Sequence, residues 1–150
     1  RGIVGLVPTV VTYGTVINAY AKRGRAQEAE DVLKALMRDD TKMKPTVFAF
    51  NSVINAYARS GALDAPAQCI RMVDEMRTYA LRSKNKALLP DVVTYNTLID
   101  VLGKHQQVRK AEKVLAGMIA SSIKPTVISF SSIVDAWSKY DDSKEENIDA

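Results

Sequence analysis

The chain has 150 residues, 47% of them hydrophobic, which is enough to bury a core, and no apolar run approaches the roughly 18 residues that a membrane span needs. A single cysteine, Cys69, excludes an internal disulfide framework. The formal net charge is +4, but residues 141–150 sum to −4 and residues 1–140 therefore carry +8, a basic body of the kind that favours polyanionic partners.

One phrase recurs along the chain: PTVVTYGTVI at 8–17, PTVFAFNSVI at 45–54, PDVVTYNTLI at 90–99 and PTVISFSSIV at 125–134. The prolines are 37, 45 and 35 residues apart, a spacing that points to stacked supersecondary units in place of one globular domain. The expected units are residues 1–9 as the last turn of a preceding one, then 10–46, 47–91, 92–126 and 127–150. Arg1 in place of a methionine, and an ending in mid-phrase, lead to the expectation that the chain is a piece of something longer.

In chain order, each unit opens on an apolar stripe at i, i+3, i+4 and i+7: Tyr13, Val16, Ile17, Tyr20; Phe50, Val53, Ile54, Tyr57; Tyr95, Leu98, Ile99, Leu102; Phe130, Ile133, Val134, Trp137. That spacing predicts a helix with one buried face, and Tyr20, Tyr57 and Trp137 are expected in the core. Gly24 and Gly61 follow two of these helices, where a left-handed residue is wanted. Gln106 replaces that glycine in the third unit, so its turn is expected to differ. A second stripe, Val108, Ala111, Val114, Leu115, Met118 and Ile119, predicts an antiparallel partner helix, since neither could hide its stripe alone. The fold class expected is all-α, an α-α superhelix built as a solenoid of antiparallel helical hairpins.

The second unit is longer than the third, which predicts a long second helix and an exposed loop over Arg82 to Lys86, with Pro66 tolerated in the helix's first turn. Asp91 is placed to cap the helix that follows it. Residues 141–147 read as an acidic loop between helices, with Ile148-Asp149-Ala150 opening the next one.

VVTYNTLI at 92–99, followed by a helical hairpin and a closing IKPT at 123–126, resembles the pentatricopeptide repeat family, and the likeness extends in weaker form over nearly all of the chain. The rival tetratricopeptide pattern, with its W-x2-L-G-x2-Y signature, is absent from the four first helices. The resemblance implies sequence-specific binding of single-stranded RNA, one base per repeat, in organellar RNA processing, stability or translation, and a mitochondrial or chloroplast location. It implies no cofactor and no metal, and it allows protein partners in an RNA-processing complex. The alternative class is a helical-repeat scaffold that grips a protein or peptide.

Carried over residue by residue, the resemblance implies that a small polar position four after each opening valine reads a base with the last residue of its unit: Gly14 with Thr46, Asn51 with Asp91, and Asn96 with Thr126. Ser131 is the fourth such position. An amide offers a donor and an acceptor to a base edge; by the resemblance, Asn51 with Asp91 implies uracil and Asn96 with Thr126 a less sharp pyrimidine. Ser131 leans to purine if the partner that closes its unit is Asn or Asp, and Gly14, without a side chain, is left unassigned. Val11, Phe48, Val93 and Ile128 are implied to wedge between bases, where Phe48 has an aromatic face to stack.

A cation recurs twelve residues after each opening valine, as Lys22, Arg59, Lys104 and Lys139. Stacked hairpins align these into a ladder suited to phosphates, although cations also suit helix C-termini. Asn18, Asn55, Asp100 and Asp135 are expected in capping or inter-repeat hydrogen bonds. Thr15, Ser52, Thr97 and Ser132 are expected to let helices approach closely.

Catalytic groups are sparse. His105 sits in a turn with no Cys or second His to share a metal. Cys69 lies in a helix without a nearby His, Glu28, Glu30 and Asp31 read as a solvated helix face, and no glycine-rich phosphate loop occurs. No enzyme activity is expected from these residues.

Overall fold

The computed structural model describes residues 10–38, 42–141 and 143, with the side chains of residues 10–12 excepted. The expectations for residues 1–9 and for the opening of a helix at 148–150 lie outside them, as does most of the acidic loop. Among the described residues there are seven α-helices: α1 (Val10–Lys22), α2 (Ala26–Met37), α3 (Val47–Ala58), α4 (Ala65–Arg82), α5 (Val92–Lys104), α6 (Val108–Ala120) and α7 (Val127–Ser138). A 3-10 turn, Lys86–Leu88, precedes α5.

The helices pair as hairpins, α1 with α2, α3 with α4 and α5 with α6, and the hairpins stack. First helices touch in sequence, α1 on α3, α3 on α5 and α5 on α7, and each second helix also reaches the next first helix. The stripes of α3 and α5 fill the space between, while Phe130 and Val134 of the α7 stripe, expected on a buried face, stay exposed because no second helix of their own hairpin is among the described residues to cover them. Phe50, Val53, Ile54 and Tyr57 of α3 are buried, as are Tyr95, Leu98, Ile99 and Leu102 of α5, against Met72, Val73 and Met76 of α4 and Ala111 and Met118 of α6. Gly103 lets α5 and α7 meet: a Cβ placed on it would lie 2.8 Å from the Ala136 Cβ.

Punctuation works as the residue types require. Asp91 accepts from the Thr94 amide at 3.1 Å while Thr94 Oγ1 accepts from the Asp91 amide at 3.1 Å, a reciprocal cap. At α7 the Thr126 amide donates to Ser129 Oγ at 3.0 Å, and Thr46 Oγ1 accepts from the Ala49 amide at 3.2 Å. Helix α4 is the longest at 18 residues and carries Pro66 in its first turn; residues 82–87 after it are exposed.

Four further expectations are corrected. Gly24 turns with φ +72°, but Gln106 adopts nearly the same conformation, φ +62°. The Gln107 amide bonds the Leu102 carbonyl just as the Arg25 amide bonds that of Tyr20, so the third turn matches the first because hydrogen bonds, not the residue type, hold it there. Trp137 is 39% exposed; its indole N–H donates to Glu112 at 2.8 Å and its ring meets Tyr140 edge-on. Asp100 and Asp135 neither cap nor bridge hairpins; they pair within their own helices with Lys104 and Lys139, at 2.8 and 2.9 Å.

The fourth correction is Glu30, read as part of a solvated face but only 1% exposed. It shares a face of α2 with buried Ala26, Ala29 and Leu33. Arg71, on α4 of the next hairpin, grips both of its oxygens, at 2.8 and 2.9 Å. Lys34 lies 2.7 Å away and the Tyr57 hydroxyl donates to it as well. Burial pushes the Glu30 carboxyl up, yet these bonds outweigh it and hold the group at about 2. The carboxylate ties hairpin one to hairpin two.

Candidate nucleic-acid interface

The row of first helices carries the sequence-predicted positions, and two of the three pairs meet in space. Asn51 Nδ2 donates to Asp91 Oδ1 at 3.0 Å across 40 residues of chain, and Asn96 Nδ2 donates to Thr126 Oγ1 at 3.2 Å. Both asparagines are half-buried. Each is held by the cap of the next first helix, since Asp91 and Thr126 are the residues immediately before α5 and α7. Gly14 offers no group to Thr46; instead the Phe48 ring lies over it, with Cδ1 3.5 Å from where a Cβ would stand. The Ser131 hydroxyl is turned back onto the Ile128 carbonyl at 3.2 Å.

Beside the asparagines stand exposed apolar side chains, which a folded chain leaves in water only where packing does not need them. Phe48 is 55% exposed, Val93 52% and Ile128 62%; the side chain of Val11 lies outside the described residues. Phe48 and Val93 each stand three residues before an asparagine on the same helix, Asn51 and Asn96, which places them on the same side of that helix.

The cations Lys22, Arg59, Lys104 and Lys139 all fall at or just past the C-terminal ends of the first helices and are exposed. They are not equivalent. Lys104 and Lys139 have a carboxylate one turn back, Asp100 and Asp135, whereas Lys22 and Arg59 have the neutral Asn18 and Asn55 there. The small hydroxyl positions return their hydroxyls to their own helix, Ser52 to Phe48 and Thr97 to Val93, each at 2.8 Å. That disposes of the polar group and leaves a small side chain for close helix approach.

Sequence reasoning missed two further hydroxyls. Thr94 Oγ1 donates to Asn51 Oδ1 at 2.6 Å, and Ser129 Oγ donates to Asn96 Oδ1 at 2.5 Å. The recurring third position of the unit, Thr94 and Ser129, three residues after the caps, was the available signal.

Among the described residues, the histidine and the cysteine are both tied to backbone carbonyls. Cys69 is buried, its thiol pushed up to about 12 by burial and bonded to the Ile54 carbonyl. Both ring nitrogens of His105 face backbone carbonyls, those of Val101 and Ala62. Among the described residues no three His, Cys, Asp or Glu side chains are grouped to hold a metal, and no helix is long and apolar enough to cross a membrane.

A profile described as the PPR repeat family matches residues 90–139, and profiles described as PPR repeat match residues 4–36 and 48–79. The chain belongs to the pentatricopeptide repeat family. The crystal structure of the pentatricopeptide repeat protein PPR10 from maize is similar over 89% of this chain and 18% of its own, with a TM-score of 0.72 and 28% identity. PPR10 in complex with an 18-nt psaJ RNA element aligns with 97% of this chain at a TM-score of 0.75 and 26% identity. The fold is thus the all-α superhelical solenoid of that protein, and the chain spans about a fifth of its length. No curated protein matches the sequence.

Proposed function

We propose that this pentatricopeptide repeat chain binds single-stranded RNA along its row of first helices, one base per hairpin. The observation that carries the reading is the pair of hydrogen-bonded asparagines, Asn51 with Asp91 and Asn96 with Thr126, each left half-exposed beside apolar side chains. Asn51 reads uracil, Asn96 reads a pyrimidine, and Ser131 leans to purine if the residue closing its unit is Asn or Asp, giving 5′-N-U-Y-R-3′ with hairpin one, Gly14 and Thr46, unassigned. Phe48, Val93 and Ile128, and Val11 by position, cover base faces. Lys22, Arg59, Lys104 and Lys139 follow the phosphates, and neutralising them lowers the salt dependence of binding. PPR10, which has been crystallised with RNA, supports the reading. The proposal extends, by family, to organellar RNA processing, stability or translation in a mitochondrion or chloroplast.

The test is fluorescence anisotropy of a short U-rich RNA beside an A-rich one at two salt concentrations, for this chain and for Asn51→Ala. The reading expects a uridine preference that Asn51→Ala abolishes. Salt-insensitive or undetectable binding by a chain shown to be folded overturns it in favour of a protein- or peptide-binding scaffold.

A further inference from the structure

The side-chain amide of asparagine has two nearly isosteric orientations. Swapping oxygen for nitrogen exchanges an acceptor for a donor at a fixed place. A base reader must choose between them, because uracil and cytosine fill the same space while one presents O4 and N3–H where the other presents N4–H and N3. Whatever fixes the amide orientation therefore separates these two bases.

At Asn51 both ends of the amide are held. The Asp91 carboxylate accepts and does not donate, so Nδ2 must face it, at 3.0 Å. The Thr94 hydroxyl accepts from the Asp91 backbone N–H at 3.1 Å; its one proton lies between Asn51 Oδ1 at 2.6 Å and Asp91 Oδ1 at 3.0 Å, and the shorter contact, to the amide oxygen, takes it. One N–H and one oxygen lone pair remain, side by side and in a fixed order. At Asn96 both neighbours are hydroxyls, Thr126 at 3.2 Å and Ser129 at 2.5 Å. Each hydroxyl can donate or accept, so both amide orientations are satisfied. Hairpin one supplies a comparison: where Gly14 removes the amide, Ala49 stands at the position of Thr94 and Ser129 and has no hydroxyl.

We propose that Thr94, a residue of the following hairpin, is a positioning residue for base selection. With Asp91 it locks the Asn51 amide for uracil against cytosine, whereas the paired hydroxyls at Asn96 leave that site open to both pyrimidines. This inference rests on the RNA-binding reading and adds a third member to the reading pair.

The experiment measures binding of this chain to AAAXUAAA RNA, with X as U or C opposite hairpin two. The wild type favours X = U. Thr94→Val, which keeps the shape and removes the hydroxyl, lowers the U:C ratio by roughly 3- to 10-fold, the worth of one hydrogen bond, and Thr94→Ser restores it. If Thr94→Val weakens both RNAs by the same factor, Thr94 is only a helix cap and the inference is overturned. A wild type that binds RNA without discriminating U from C overturns it too, and one that does not bind RNA sinks the reading beneath it.

Should circular dichroism show Thr94→Val unfolded, hairpin three poses the same question with Y varied. There Thr126→Asp is expected to create a preference for U over C, and adding Ser129→Ala to take most of it away. A Thr126→Asp preference unmoved by Ser129→Ala refutes the role of the hydroxyl.

Discussion

Glu30→Gln removes the charge at the junction of hairpins one and two while keeping the side chain's shape. The Glu30 carboxyl ordinarily titrates near 4.5 and is held at about 2 in the folded chain. At about 1.36 kcal/mol per pKa unit, that difference represents on the order of 3 kcal/mol of folding free energy. Because the folded value is the lower one, the contribution is fully present above about pH 5 and disappears as the pH falls toward 2. Arg71 is partly solvated, so the glutamine variant is expected to lose about 2–3 kcal/mol at pH 7, near or just below the range for breaking a buried pair. Urea unfolding followed by far-UV circular dichroism at pH 7, 5 and 3 measures both quantities. The wild type should weaken across the acid limb and Glu30→Gln should weaken less. A variant within about 0.5 kcal/mol of wild type at pH 7, with an unchanged acid limb, would refute the account of the junction.

Gly103→Ala puts a methyl 2.8 Å from the Ala136 Cβ. Overpacking of about 1–3 kcal/mol should outweigh the roughly 1 kcal/mol gain in helix propensity, so the melting temperature falls. Phe48→Ala should leave the circular dichroism spectrum unchanged and weaken RNA binding by about 1–3 kcal/mol in anisotropy titrations. Lys22→Ala with Arg59→Ala should flatten the slope of log affinity against log salt by about 1.4. Lys104→Ala with Lys139→Ala should flatten it less, since Asp100 and Asp135 already offset those cations.

The hairpins were legible because the apolar stripes have helical period and the proline phrases mark each start, information held within a dozen residues. Gly24 and Gly61 and the long α4 followed from the same local rules. Glu30 was not legible, because its meaning depends on Arg71, 41 residues away, and an acid on a helix is normally solvated. Gln106 misled because residue type was taken to decide a turn that backbone hydrogen bonds decide. At the candidate site Asn51 and Asn96 were found as polar positions off the stripe, and their partners came through the family likeness. Thr94 and Ser129 were passed over because, read along one helix, each is only a capping hydroxyl, and their second bond crosses to the preceding hairpin.

That crossing bond bears on how such a chain can be recombined. Pro90 looks like the natural seam, yet a cut there parts Asn51 from Asp91 and Thr94, the two side chains that hold it. A chimera joined at Pro90 inherits its asparagine from one parent and that asparagine's orientation from the other. The cassette that travels intact runs from within α3 to within α5, half a hairpin out of phase with the repeat.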